Sequence, residues 1–435
     1  MALGGGSFTE QNKVLPGVYA NFVSVAKASP ALSDRGIATM PLELDWGREG
    51  EVFEVAREDF EKDSMKIFGY GWEHEKMKGI RDLFQGASTL YAYRLNGGGT
   101  KASNDFAVAL YGGTRGNDLK TVIQATVDNP GEYEVKTYLG LSEVDSQVVS
   151  SAQELAANDY VKFKADAELV ATASMPLSGG TNGTVDGTAH KAYQEKIESY
   201  VYNTMGVVVA DETTKNMYAA FNKRMREELG IKSQLVLYNL AADYLGVINV
   251  KNKTLDEEWS EASLVYWVTG AQSGCAVNKS CQNKAYDGSF AVEADYSQEQ
   301  LKKCLKDGEF VLHKVNAEIR VLEDINSMVT TTDDCGDIFK DNQTIRVIDQ
   351  IGNDDAVLFN EKYNGKVPND DAGRISLWSD LVKIRQELQK MRAIENFSDS
   401  DVSVEAGEGK KCVVVNGSIT VVNTMSKLYI TTRVA

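Results

Sequence analysis

Met205-Gly-Val-Val-Val-Ala210 and Gln234-Leu-Val-Leu-Tyr238 are short apolar runs of the kind that form strands buried on both faces. Between them Met217, Phe221, Met225 and Leu229 recur at helical spacing, and Gly230 closes the segment. Strand, helix and strand in this order predict an α/β layer with parallel pairing, because parallel neighbours need a crossover long enough to hold a helix. The rhythm extends both ways. Upstream, Thr188 is expected to cap a helix whose apolar face carries Tyr193, Ile197 and Tyr200. Downstream, Ser297-Gln-Glu-Gln300 is a capping box for a helix ending at Gly308, and Phe310-Val-Leu-His313 and Ile319-Arg-Val-Leu322 are expected strands.

Residues 100–176 differ in character. Phe106–Tyr111, Thr121–Val127, Tyr133–Tyr138 and Tyr160–Phe163 are short strands, separated by turn signals such as Asp128-Asn-Pro-Gly131 and Asn158-Asp159. That pattern predicts an antiparallel sandwich. Ahead of it, Ile37–Leu42 and Leu90–Leu95 are expected strands, while Phe53–Phe68 and Glu75–Phe84 are expected helices.

Residues 340–396 predict two helices. The second, from Asp370 to about Ile394, has Leu377, Leu381, Ile384, Leu388 and Met391 on one face. Its other face carries Arg374, Lys383, Arg385, Lys390 and Arg392. Val413-Val-Val-Asn-Gly-Ser-Ile-Thr-Val-Val422 places Asn-Gly between β-branched runs, which predicts a hairpin. Each extremity then ends in a strand-like segment. Near the start, Val14-Leu-Pro-Gly-Val-Tyr19 leads into Ala20-Asn-Phe-Val-Ser-Val25. At the end, Leu428, Ile430 and Val434 alternate with Tyr429, Thr431 and Arg433. Pro16 cannot donate to a ladder, so it belongs at a strand start or an edge.

The net charge of −17 repels nucleic acid and anionic lipid, so no direct nucleic-acid or membrane contact is expected. The five cysteines form no CxxC pair, which argues against a zinc site and a disulfide framework and for a reducing compartment. The N-terminus lacks the basic and apolar regions of a signal peptide. Gly97-Gly-Gly99, Gly112-Gly-Thr-Arg-Gly116 and Gly179-Gly-Thr-Asn-Gly183 lack the spacing of a phosphate loop and are expected as turns. His74, His190 and His313 sit in no metal or nucleophile motif, and no GxSxG elbow occurs. No catalytic, cofactor or metal residue is expected.

The order of several short motifs resembles the contractile phage tail sheath family, in the branch of Gram-positive myophages, defective prophages and phage-tail-like bacteriocins. They are Pro16-Gly-Val-Tyr19, Arg35-Gly-Ile-Ala38 with Trp46-Gly47, Gly113-Thr-Arg-Gly-Asn-Asp118 and Leu177-Ser-Gly-Gly-Thr-Asn-Gly183. Tyr266-Trp-Val-Thr-Gly-Ala271, Leu322-Glu-Asp-Ile-Asn-Ser327 and Met425-Ser-Lys-Leu-Tyr-Ile430 follow. The resemblance implies a non-enzymatic subunit without cofactors. It stacks with copies of itself as hexameric rings in a helical sheath around a tail tube protein, bounded by baseplate and tail terminator proteins. It implies a place in a virion tail or tail-like particle assembled in the bacterial host cytoplasm. It also implies that Pro16, Gly17, Val18, Tyr19, Phe22, Val23 and Val25, with Leu428, Tyr429, Ile430, Thr431 and Val434, are inter-subunit arm strands. Lys383, Arg385, Lys390 and Arg392 are the candidate tube-facing cations.

The expected fold is an α/β core, a strand–helix–strand layer plus an α+β C-terminal region, with an inserted antiparallel β-sandwich and extended terminal strand arms. The expected boundaries are an arm at 1–30, the first core part at 31–95 and the sandwich at 96–176. The α/β domain at 177–325, a tube-facing domain at 326–422 and a second arm at 423–435 follow. Two rival readings remain. A surface-layer-like assembly would carry an export signal. A doubly wound α/β enzyme would bind ligand at the carboxyl ends of strands near Ala210 or Asn239.

Overall fold

The computed structural model describes residues 32–127 and 129–434. The arm residues Pro16, Gly17, Val18, Tyr19, Phe22, Val23 and Val25 lie outside the described residues. The described residues divide into two compact units: one takes those from 32 to Ala38, Asp82–Ser88 and those from Ser199, and the other takes Thr39–Arg81 and Thr89–Glu198.

In the first unit, strands Thr204–Gly206, Gln234–Tyr238, Val247–Val250 and Glu309–Phe310 pair in that order, all parallel. Leu235, Val236, Leu237, Val247, Ile248 and Val250 are fully buried, which explains why these runs are continuous rather than alternating. Helix Glu212–Glu227 makes the crossover between the first two strands, and Asp211 caps it by accepting from Thr214 N–H at 2.8 Å. Gly230, at φ +75°, turns the chain so that Ile231 N–H donates to Met225 O at 3.0 Å. Helix Leu264–Gly274 is buried almost all round and packs over three of the strands. The capping box at Ser297 and Gln300 is formed, opening helix Gln298–Lys306.

Helices Asn342–Leu358 and Asp371–Lys390 follow and pack together. Leu377, Leu381, Ile384 and Leu388 are buried as the stripe predicts, whereas Met391 is exposed. The Asn416-Gly417 hairpin does not form. Val413–Gly417 pairs with Val402–Ala406, and Thr420–Val421 pairs with Ile394–Glu395. A two-residue hairpin of the favoured type needs positive φ at both central residues. Neither Asn416 nor Gly417 adopts one, and both stay inside the strand ladder.

In the second unit, strands Ser142–Val149, Tyr133–Leu139, Leu119–Ala125 and Thr172–Pro176 form an antiparallel sheet in that order. A smaller sheet pairs Ala107–Ala109 with Val161–Phe163. Phe106, Leu119, Ile123, Val135, Leu139 and Val161 fill the core together with Trp46 and Tyr160. The expected helix over Phe53–Phe68 is shorter: Val52–Ala56 is a strand against Thr89–Arg94, and the helix runs Arg57–Phe68. The alternation of buried Phe53 and Val55 with exposed Glu54 is the period-2 signal that outweighs helix propensity there. Asp186, not Thr188, caps helix Gly187–Ile197, accepting from Thr188 and Ala189 N–H at 2.9 Å each.

The three glycine-rich loops of this unit interlock. A Cβ on Gly99 would lie 1.9 Å from Thr181 O, and one on Gly183 1.9 Å from Gly97 O. Gly113, at φ +137°, would place a Cβ 2.0 Å from Asp45 O. Their N–H groups are used internally: Gly113 N donates to Thr100 O at 3.2 Å and Gly183 N to Asn96 O at 3.0 Å. Buried Arg94 ties the loops by donating to Gly112 O at 2.7 Å and Gly47 O at 3.1 Å. Asn182 Nδ2 donates to Asp45 Oδ1 at 2.9 Å. These loops hold each other, so they are not free to cradle a phosphate. Gly113→Ala is expected to lower stability by about 1–3 kcal/mol through overpacking and a strained φ. Gly187→Ala, with open space and no positive φ, should leave the urea midpoint unchanged or raised; equal midpoints for the two variants would contradict the interlock.

Candidate assembly surface

Helix Asn342–Leu358 carries polar side chains that are buried on several sides, and each has a named partner. Arg346 Nη2 donates to Asp324 Oδ2 at 2.6 Å and Arg346 Nη1 to Gln272 Oε1 at 2.6 Å, with Asp324 and Arg346 almost fully buried. Asp324 also accepts from Gln272 at 2.7 Å, Cys281 N–H at 2.8 Å, Asn342 at 3.0 Å and Ser280 at 3.2 Å. Burial pushes the Asp324 carboxyl up. The Arg346 charge and these hydrogen bonds outweigh it and hold the group below the usual carboxylate range. One turn on, Asp349 takes both Arg226 nitrogens at 2.6 Å each.

The same helix holds both ends of the described chain. At its C-terminal half, Ser33 Oγ donates to Asp354 Oδ1 at 2.6 Å and Gln350 Nε2 donates to Ser33 Oγ at 2.7 Å. At its N-terminus, Gln343 Nε2 donates to Val422 O at 3.0 Å, and Thr424 N donates to Gln343 Oε1 at 3.0 Å. Beyond Thr424 the chain forms no strand among the described residues. Leu428 (83% exposed), Tyr429 (90%), Ile430 (74%) and Val434 (92%) project into solvent, and Thr431 is exposed. Strand Val413–Gly417 leaves Val414 and Val415 exposed.

The four candidate cations do not behave alike. Arg385 is buried, donates to both carboxylate oxygens of Asp355, and so is turned into the fold. The expectation of a solvated Arg385 is corrected: its place on the helix lies against helix Asn342–Leu358. Lys383 stays half-exposed beside Asp380 at 3.3 Å. Lys390 is exposed and contacts Glu387 at 2.5 Å. Arg392 is exposed at φ +62°, has no carboxylate partner among the described residues, and lines a groove with Asn278, Val422 and Met425.

At the carboxyl end of strand Gln234–Tyr238, where a doubly wound enzyme would bind ligand, a lysine occupies the backbone carbonyls. Buried Lys215 donates to Tyr238 O at 3.2 Å and Asn239 O at 3.3 Å, closing the carboxyl end of that strand. His74 accepts from Lys76 N–H at 3.1 Å as a turn cap. His313 lies in strand Leu312–Val315, paired with Glu318–Val321.

Four family models match in chain order. They are the tail sheath protein Gp18 domain III N-terminal region over 35–95, the phage tail sheath protein beta-sandwich domain over 97–182, the phage tail sheath protein central domain over 183–327, and the phage tail sheath C-terminal domain over 334–435. The solved sheath tail protein of Desulfitobacterium hafniense is 34% identical, with a TM-score of 0.81, over 95% of this chain and 99% of that one. The chain belongs to the phage tail sheath family. Phage-like element PBSX protein XkdK of Bacillus subtilis is 29% identical over 99% of this chain and 100% of its own length. The anti-feeding prophage helical sheath in its contracted state shares the fold at 12% identity, with a TM-score of 0.58 over 97% of this chain and 99% of that one.

The chain is thus a structural tail sheath subunit, part of a virion tail or tail-like particle, in a non-enzymatic family. Its family motifs also acquire a physical meaning. Arg35, Ala271 and Asp324 come from three of them: Arg35 donates to Gln272 O and Cys275 O, Ala271 O lies 3.5 Å from Cys281 Sγ, and Asp324 binds Arg346. Arg346, Asp349 and Arg226 were not singled out from sequence, because partners far apart in the chain give no local signal. The stretch Leu322–Ser327 did contain Asp324.

Arg346→Met would strand the buried Asp324 charge and is expected to cost about 3–5 kcal/mol in urea unfolding. Adding Asp324→Leu should restore most of that loss. Additive losses in the double variant would contradict the pairing.

Proposed function

We propose that this sheath subunit polymerises in stacked hexameric rings around a tail tube, between baseplate and terminator proteins, after synthesis in the bacterial host cytoplasm. On triggering, the sheath contracts and drives the tube through the target envelope. The segments 1–30 and 423–435 serve as arms that add strands to sheets on neighbouring copies, while the rest moves as rigid bodies. The observation that carries this reading is the tail itself. Leu428, Tyr429, Ile430 and Val434 stand exposed on a segment whose root is fixed at Val422–Thr424. A single chain that leaves such side chains in water gains about 1.5–3 kcal/mol for each one it buries on a partner. The subunit acts without a cofactor and catalyses no reaction; its work comes from packing differences between subunits in two states of the sheath.

Leu428→Asp with Ile430→Asp is expected to leave the thermal midpoint of the monomer unchanged and to abolish striated tubes in electron micrographs. Tubes of normal length from this variant would refute the arm assignment. Lys383, Lys390 and Arg392 are proposed to face an acidic tube, each contact contributing about 0–1 kcal/mol so that the grip stays releasable. Charge reversal at Lys390 and Arg392 should give sheaths lacking a tube; filled tails of normal appearance would exclude these two residues.

A further inference from the structure

A groove of about 580 Å³ opens beside the first turns of helix Asp371–Lys390. Its floor is apolar: Tyr363 and Leu377 are buried, Val367 and Val413 are half-buried, and Phe359 is 38% exposed. Its rim is basic. Lys366, Arg374, Lys410 and Lys411 line it and no lining residue is a carboxylate, in a chain with 63 acidic residues against 46 basic ones. The walls are held in advance. Helix Asn342–Leu358 runs into a π turn, Phe359–Tyr363, where Asn364 N–H donates to Phe359 O at 2.8 Å. Tyr363 OH donates to buried Asp380 at 2.6 Å. Asn369 Nδ2 donates to Lys410 O at 3.1 Å and Cys412 O at 2.9 Å, which ties the turn between strands Val402–Ala406 and Val413–Gly417 to the loop before the helix. Arg374 is bound by Asn369 and Asp371. Lys410 and Lys411 are exposed and have no ion-pair partner among the described residues.

We propose that this groove is a docking site for a second copy of the chain, and that it receives the acidic knob formed by residues 255–258 of that copy. The inference rests on the sheath reading: a subunit that polymerises helically needs contacts in which two different patches of one surface meet. The knob supplies the matching chemistry. Leu255 is 53% exposed beside Glu257 and Glu258, which are exposed and have no ion-pair partner among the described residues. The knob is also prebuilt. Leu255 N–H donates to Ala291 O at 2.8 Å, and Ala291 N–H donates to Asp256 Oδ2 at 2.8 Å. Trp259 anchors it edge-on against Phe290 at 5.1 Å and Tyr266 at 6.2 Å. Two surfaces that are already ordered lose little conformational entropy when they meet.

Charge selects this occupant over the arms. Residues 1–31 carry Lys13 and Lys27 against Glu10, and residues 423–435 carry Lys427 and Arg433 with no acidic residue. Both segments are cationic, so a rim of lysines and arginine repels them. The other exposed loop that mixes apolar and acidic side chains, residues 329–338, has Asp337 already bound to Lys340 at 2.9 Å. In the docked pair Leu255 meets the apolar floor, while Glu257 and Glu258 meet Lys410 and Lys411. The ion pairs fix which patch meets which and in what register.

The test uses the purified full-length chain and reads the lowest concentration at which it sediments as polymer. Lys410→Glu with Lys411→Glu, and separately Glu257→Lys with Glu258→Lys, should each raise that concentration by at least about tenfold, because like charges then face each other. The chain carrying both pairs of reversals should return to within about threefold of the parent, since the attraction is restored with its signs exchanged. A second measurement identifies the occupant. Leu255→p-benzoylphenylalanine, irradiated in a mixture of unlabelled and heavy-isotope chains, should link position 255 of one copy to residues 359–377 or 410–413 of another. A parent chain that gives this cross-link without forming tubes would keep the docking site and fail the arm reading alone. Polymerisation of both reversal pairs at the parental concentration would overturn the proposal. So would a doubly reversed chain no better than either pair, or cross-links that fall only within one chain, only on the arms or nowhere in the groove.

Discussion

The buried contact between Arg346 and Asp324 sets the terms for the rest of the C-terminal unit. Neither charge reaches water, and Gln272, Asn342, Ser280, Cys281 and Lys279 supply hydrogen bonds to the carboxylate and to the two Nη atoms, leaving only Arg346 Nε without a partner among the described residues. A buried pair of this kind adds little net stability over an apolar replacement, because desolvation offsets the attraction. What it adds is uniqueness: helix Asn342–Leu358 fits in one rotation and one register. With Arg226 bound to Asp349 and Arg385 to Asp355, the helix is keyed on several sides by charges that tolerate no slip.

A subunit that transmits force needs this. Both terminal segments are rooted on that helix, Ser33 through Gln350 and Asp354 and Val422–Thr424 through Gln343. Residues 343 and 354 are about 16 Å apart along a helix at ~1.5 Å per residue. A pull on either segment is therefore delivered to one rigid rod, not to two separate layers. The apolar tail beyond Thr424 stays outside the fold, free to pair with something other than its own chain.

The sequence was informative where the signal is local and periodic. The buried runs beginning at Met205 and at Gln234, four of the sandwich strands (though not Ser142–Val149 or Thr172–Pro176), the capping box at Ser297 and the leucine stripe from Leu377 to Leu388 all read through patterning or capping chemistry. It was misleading where a local preference met a long-range partner. Asn416-Gly417 favours a tight turn, yet the strand Val402–Ala406 offers five paired residues. Arg385 sits at a helix position that reads as solvated, but Asp355, thirty residues away, draws it inward. The keying of helix Asn342–Leu358, though not the helix, was hidden for the same reason. Its polar residues look like a surface until Asp324, Arg226 and Ser33 are brought against them by the fold.

The most direct test of this account is residue-resolved native-state hydrogen exchange on the unassembled subunit. The account predicts that amides 345–354 exchange only through global unfolding. Protection should persist at Thr424, whose N–H is held by Gln343, and vanish over 427–434. Exchange of amides 345–354 as fast as that of 427–434 would contradict a keyed helix that holds both Ser33 and Thr424.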